Sequence, residues 1–187
     1  MQRPRSLILG SGATYHVASC GVRRLPIVYD DFDRTWFFGD LAKIVGERGW
    51  RCHAYCLMTN HYHLLLETPE PDLSIGMREL NQRHALRVNR RHGFQGHVFE
   101  GRFFAELVQT NSHFVTLARY IDQNPVRASL CRKAELWRWS GCAATLGLRP
   151  AAPFFDPSGV LGRYSSDVGR ARLAYALALQ DWSRPCP

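Results

Sequence analysis

A chain of 187 residues, 45% of them hydrophobic, is long enough for one domain with an ordinary buried core. It has no apolar run near the ~20 residues that cross a membrane, and its basic start, MQRPRSLILG, has too short an apolar patch for a secretory signal, so a soluble cytoplasmic protein without a membrane partner is expected. Net charge is +8, and of the 24 basic residues only Lys43 and Lys133 are lysine; arginine forks match phosphate and stack on bases, which suits nucleic acid, although a GC-rich genome gives the same bias.

GATYHVASC (12–20) predicts a strand ended by Gly21. YDDFDRTWFFGDLAKIVGERG (29–49) predicts a helix in which acids come first, Phe32, Trp36, Leu41, Ile44 and Val45 form an apolar stripe, and Gly49 stops it. WRCHAYCLM (50–58) and HYHLLLE (61–67) read as two strands of a hairpin turning at Thr59–Asn60. PEPDLSIGMRELNQRHALRVNRRHG (69–93) predicts a long helix with Leu73, Met77, Leu80 and Val88 on one stripe, ending at Gly93. RFFAELVQT (102–110) is a further strand. NSHFVTLARYIDQN (111–124) opens on a capping Asn/Ser pair, carries Phe114, Leu117, Ala118 and Ile121 at helical spacing, and should stop at Pro125.

The order β-α-β-β-α-β-α predicts an α+β fold, a ferredoxin-like plait with an antiparallel sheet and helices on one face. That domain is expected over 1–148. Residues 149–187 extend it with a Pro-rich linker (RPAAPFFDPSG) and a C-terminal helix (SDVGRARLAYALALQDW) whose Leu173/Leu177 stripe must be buried somewhere, against the core or over a groove.

Residues two apart on a strand share a face, so His61 and His63 present two imidazoles side by side. Such a pair can hold one metal ion, or can be two partly buried histidines bonded to backbone. Cys52 and Cys56 lie near enough in sequence for a zinc site, but on their strand they share a face with Trp50, Ala54 and Met58, which reads as packed core thiols; the six scattered cysteines form no C-x-x-C pair. Tyr120 and Asn124 are one helical turn apart and flank the apolar stripe of their helix. A phenol beside a metal-bound phosphate can act as a nucleophile; taken alone, Tyr120 reads as a core-edge aromatic and Asn124 as a helix-terminal residue before proline.

Together these residues carry a resemblance. HYH followed by a helix ending RYIDQNPVRASL resembles the single-tyrosine transposases of the HUH endonuclease superfamily. AYCLMTNHYHLLLETPEPDLS, NRRHGFQGHVFEGRFFAELV and WRWSGCAATLG are similar to blocks of REP-associated tyrosine transposases, so the resemblance covers about 12–147. It implies an HUH-type plait, His61, His63 and Asn124 as ligands of magnesium or manganese, and Tyr120 as the nucleophile. It also implies a bacterial, nucleoid-associated enzyme that cuts and rejoins single-stranded REP-like hairpin DNA, as monomer or homodimer. The chain departs from the family where Thr59 replaces Pro, Cys20 replaces Arg, and Asp122-Gln123 replace a His-Leu pair. These departures remove no catalytic position; Cys20 costs one DNA contact and Asp122 sets an acid near the phosphate site.

The helix after the hairpin is rich in arginine: Arg78, Arg83, Arg87, Arg90 and Arg91, with only Glu79 as an acid in its body. Such a face tracks phosphates or is merely solvated; the shortage of acids points to DNA, with Arg102 and Arg127 nearer the proposed site. Two alternatives stand beside the endonuclease: a domesticated hairpin-DNA binder with little cleavage, and a zinc hydrolase using His61, His63 and a cysteine.

Overall fold

Alternation along one strand decides how the molecule is layered. In the computed structural model, which describes residues 11–180, HYHLLLET forms strand β3 (His61–Thr68) at the centre of the sheet. It pairs antiparallel with β1 (Ala13–Cys20) on one side and β2 (Arg51–Leu57) on the other, and β4 (Phe104–Leu107) adds outside β1. β1 and β2 therefore run in the same direction with β3 between them, the split βαβ of a ferredoxin-like plait. The basic N-terminal stretch, the end of the expected C-terminal helix and Cys186 lie outside the described residues.

Tyr62, Leu64 and Leu66 face one side with Tyr15 and Val17. Helices α1 (Asp31–Glu47) and α2 (Leu73–His92) cover them with Phe37, Leu41, Met77 and Leu80. Gly93 ends α2 in the left-handed region, φ 69°, the conformation a helix C-terminus takes most readily with glycine. On α1 the expected stripe holds only in its second half. Phe32 is 68% exposed and Trp36 borders solvent, because Asp33 and Asp40 take the inward positions to meet α2. The guanidinium of Arg91 lies over the Phe32 and Trp36 rings instead.

The second face is covered as well. Helix α3 (Asn111–Arg127) lays Phe114, Leu117, Ala118 and Ile121 on Ala54, Cys56 and Leu65. The Thr110 side chain caps it by accepting from the His113 N–H, rather than the Asn/Ser pair expected there. Pro125 does not stop α3, which continues to Arg127; Pro125 is itself buried, so packing offsets the lost backbone bond. A bulge between Cys52 and Ala54 flips the parity of β2. Cys52 thus joins the α1/α2 core and Cys56 the α3 core, on opposite faces and not together as alternation predicted. Both thiols are fully buried, and burial raises their pKa values, as core thiols require.

The Pro-rich stretch after 148 lies along β2: Phe154 and Phe155 are buried against Tyr55, and Asp156 N–H donates to the Cys52 carbonyl. Short helices α4 (Cys142–Thr145) and α5 (Ser158–Leu161) precede α6 (Val168–Gln180). α6 packs on α3 through Tyr175 and Leu179 and buries Ala171, whereas Leu173 and Leu177, expected inside, are 63% and 58% exposed. Two polar bonds fix this phase: Tyr175 Oη lies 2.7 Å from Asp122 Oδ2, and Gln123 Nε2 donates to the Leu179 carbonyl.

Candidate active site

His61 and His63 stand on the α3 face of β3, and the tight turn before His61 brings them to the end of the sheet where β1 finishes at Cys20. α3 crosses the same face, and its last turns deliver Tyr120 and Asn124 on the flank of the apolar stripe. The four residues line one cavity of about 560 Å³ with Arg24, Arg102 and Phe104. The ring of Tyr120 meets that of His63 edge to face at 5.4 Å. Continuation of α3 through Pro125 puts Arg127 seven residues, two turns, after Tyr120, and its guanidinium lies 5.5 Å over the tyrosine ring.

Hydrogen bonds fix which atoms face the cavity. Asn60 Nδ2 donates to the Arg24 carbonyl at 3.1 Å, which turns Asn60 Oδ1 to His61 Nδ1 at 2.7 Å. An oxygen acceptor there requires the proton on Nδ1, so His61 Nε2 is left as a bare lone pair. Asn124 Nδ2 donates to the Tyr120 carbonyl at 3.2 Å, which turns Asn124 Oδ1 inward, 3.4 Å from His61 Nε2. Two acceptors thus oppose each other. A second proton on His61 would relieve this, but burial lowers the His61 pKa and resists it. A cation relieves it without a proton. Two imidazoles and an amide oxygen fit a divalent ion that also takes phosphate oxygens, and neither Cys52 nor Cys56 lines the cavity.

Sequence reasoning missed two residues here. His16, on β1, stacks on His63 with its Nε2 3.0 Å from His63 Nδ1. Strand parity carried the signal, since His16 shares its face with Ala18 and Cys20, but only the β1/β3 register sets it beside His63. Arg24 follows Arg23, and both have left-handed backbones, φ 62° and 53°; consecutive non-glycine residues in that region are costly and cluster at functional sites.

The arginines of α2 divide. Arg83 pairs with Glu79, Arg87 with Asp40, and Arg91 with Asp30 and Asp33 at 2.6 and 2.7 Å. The expected shortage of acids on α2 is therefore corrected: α1 supplies them across the helix pair. Arg90 is exposed. Arg78 lines a neighbouring cavity, whose wall at Glu100–Arg102 is shared with the first. Asp122, expected near phosphate, is turned away into the α6 contact, where desolvation raises its pKa to about 7. Cys20 donates its thiol to Glu100 at the cavity wall.

A family model for IS200-like transposases matches residues 11–124, which is more than half of the chain. The chain belongs to the IS200-like transposase family. The transposase also resembles a solved REP-associated tyrosine transposase bound to a REP hairpin, with a TM-score of 0.65 at 18% identity over 90% of this chain and 92% of that one. This likeness carries the fold, and both comparisons meet the resemblance read from the sequence blocks. A Deinococcus radiodurans R1 chain described as a transposase matches at a TM-score of 0.44 and 18% identity, over 66% of the transposase and 97% of its own length. Among curated protein sequences none matches significantly. No helix among the transposase's described residues is long and apolar enough to cross a membrane.

Proposed function

We propose that this transposase is a metal-dependent endonuclease and strand transferase for single-stranded, REP-like hairpin DNA, working at the nucleoid in the bacterial cytoplasm. The observation that carries the reading is the opposed pair His61 Nε2 and Asn124 Oδ1 in one cavity with Tyr120. His61, His63 and Asn124 would hold magnesium or manganese. When bound, such an ion neutralises a phosphodiester and lowers the barrier to attack. Tyr120 Oη attacks phosphorus. The bond from phosphorus to the 3′ oxygen breaks, a 5′-phosphotyrosine forms, and the phenolic proton is transferred to the departing 3′-hydroxyl. Attack by a 3′-hydroxyl on the phosphotyrosine reverses the step and rejoins strands. Arg24 and Arg102 line the cavity and Arg127 lies over the Tyr120 ring, so all three can meet a bound phosphate, and exposed Phe104 offers a stacking face for an unpaired base. Arg78 and Arg90 extend the basic path along α2, whereas Arg83, Arg87 and Arg91 contribute less because they already hold carboxylates.

The test is incubation with single-stranded REP-like hairpins in magnesium or manganese, followed by denaturing electrophoresis and peptide mapping. The expected result is a covalent adduct on Tyr120, lost in chelator and in Tyr120→Phe. Hairpin binding without any adduct would reduce the protein to a domesticated DNA binder. An adduct formed in full in chelator would refute the metal requirement.

A further inference from the structure

We propose that His16 and Asn60 are positioning residues that lock His63 and His61 in the tautomer with the proton on Nδ1, so that both imidazoles present Nε2 to one ion. The inference rests on the metal reading above and names the residues that prepare its ligands. Asn60 has the simpler case. Its amide cannot turn over without losing the Arg24 carbonyl, so its oxygen stays on His61 Nδ1. That bond also ties the ligand to the left-handed Arg23–Arg24 turn, which presents Arg24 to the cavity. One amide therefore sets both a metal ligand and a phosphate-facing guanidinium.

His63 has the same need and meets it with another imidazole. Its Nδ1 lies 3.0 Å from His16 Nε2, and one of the two nitrogens must donate. If His16 donated, His63 would carry its proton on Nε2 and could not ligate there. If His63 donates, His16 Nε2 accepts and its own proton moves to Nδ1. The surroundings favour that second arrangement. His16 Nδ1 is buried without a hydrogen-bond partner, and the Glu106 carboxylate, 3.9 Å from it, attracts an N–H and repels a lone pair. Glu106 also lies 3.7 Å from His113, on the first turn of α3. Phe104 and Tyr120 close on the His16 ring edge to face, at 5.9 and 6.0 Å, and fix its plane. The order Glu106, His16, His63, cavity is thus a directed chain ending in a bare Nε2. Outer partners of this kind orient metal-binding histidines, and their removal typically lowers metal affinity about 10- to 100-fold.

Nitrogen-15 NMR of the metal-free protein reads the tautomers directly. The expected spectrum has the proton on Nδ1 of both His61 and His63; a proton on His63 Nε2 overturns the proposal. Manganese binding then reads the consequence. His16→Gln can return an amide oxygen near the position of Nε2, so it should keep the His63 tautomer and bind manganese within a few-fold of the parent. His16→Phe and Asn60→Ala should each lose 10- to 100-fold, while circular dichroism shows the fold retained. Equal affinity in His16→Phe and the parent overturns the positioning role. If the parent shows both tautomers but binds no manganese, the metal reading falls and the tautomer lock stands.

Discussion

Tyr62 and His63 are neighbours on one strand, both buried, and their surroundings differ in kind. Tyr62 is fully enclosed and its hydroxyl donates to Asn81 Oδ1 at 2.7 Å, while Asn81 Nδ2 donates on to Ser19. His63, 8% exposed, lies on the opposite face among His16, His61 and Tyr120, where a lone pair of His61 faces a lone pair of Asn124. Burial alone does not separate core from site here. What separates them is whether the polar atoms are satisfied by the protein itself. Around Tyr62 the α1/α2 face is closed in that sense, whereas around His61 and Asn124 the α3 face is open toward something positive.

The largest effect should come from the open face. Tyr120→Phe removes one oxygen and little volume, so fold and hairpin binding should persist. Strand cleavage should fall by about 10⁴-fold or more, the scale expected when a covalent nucleophile is removed. Cleavage within tenfold of the parent would move the nucleophile elsewhere. The neighbouring pair sharpens the comparison through stability. Tyr62→Ala should cost about 3–5 kcal/mol in urea unfolding, as for other large aromatic deletions from a core. His63→Ala should cost under about 2 kcal/mol, because it gives up less packing, yet abolish metal-dependent cutting. Equal destabilisation by the two would erase the distinction between faces.

Much of this was legible in the chain. Period-2 alternation in HYHLLLE fixed which residues of β3 oppose each other, and helical spacing fixed Tyr120 against Asn124. What stayed hidden depends on pairing between distant segments. His16 becomes a site residue only through the register that sets Cys20 against His61, and no local pattern encodes a register. The acids that neutralise α2 sit on α1, some fifty residues away in sequence, so a count within one helix missed them. The bulge at Cys52–Ala54 and the passage of α3 through Pro125 broke local rules because packing on both sides outweighed them.

α3 repeats the comparison on a single helix. Tyr120 and Asn124 look into the cavity, while Asp122 looks toward α6 and Tyr175. Desolvation raises the Asp122 pKa from 3.8 to about 7, so the fold favours the protonated acid. That contribution is complete below pH ~4 and is lost as the pH rises through ~7. Asp122→Asn carries no charge at any pH. Relative to the parent it should therefore gain stability between pH 5 and pH 8, by about 1–3 kcal/mol. Urea midpoints that shift equally at both pH values would mean that Asp122 is ionised in the folded protein.

The smallest effects should distinguish two arginines, each of which stacks on an aromatic ring. Arg91 lies over Phe32 and Trp36 but holds Asp30 and the fully buried Asp33. Arg127 is exposed and lies over Tyr120, which lines the cavity. A guanidinium already committed to two carboxylates releases few counterions from DNA, whereas a free one releases about one per phosphate contact. Arg91→Ala should therefore destabilise the fold by about 1–2 kcal/mol, since it leaves a buried carboxylate with fewer partners. It should leave the salt dependence of hairpin binding unchanged. Arg127→Ala should leave stability within about 0.5 kcal/mol, as for most exposed substitutions. It should reduce the slope of log affinity against log salt by about one and weaken binding roughly tenfold at low salt. Titrations at three salt concentrations measure both. If Arg91→Ala flattens the slope as much as Arg127→Ala does, DNA displaces the α1 carboxylates on binding, and the closed face takes part in recognition after all.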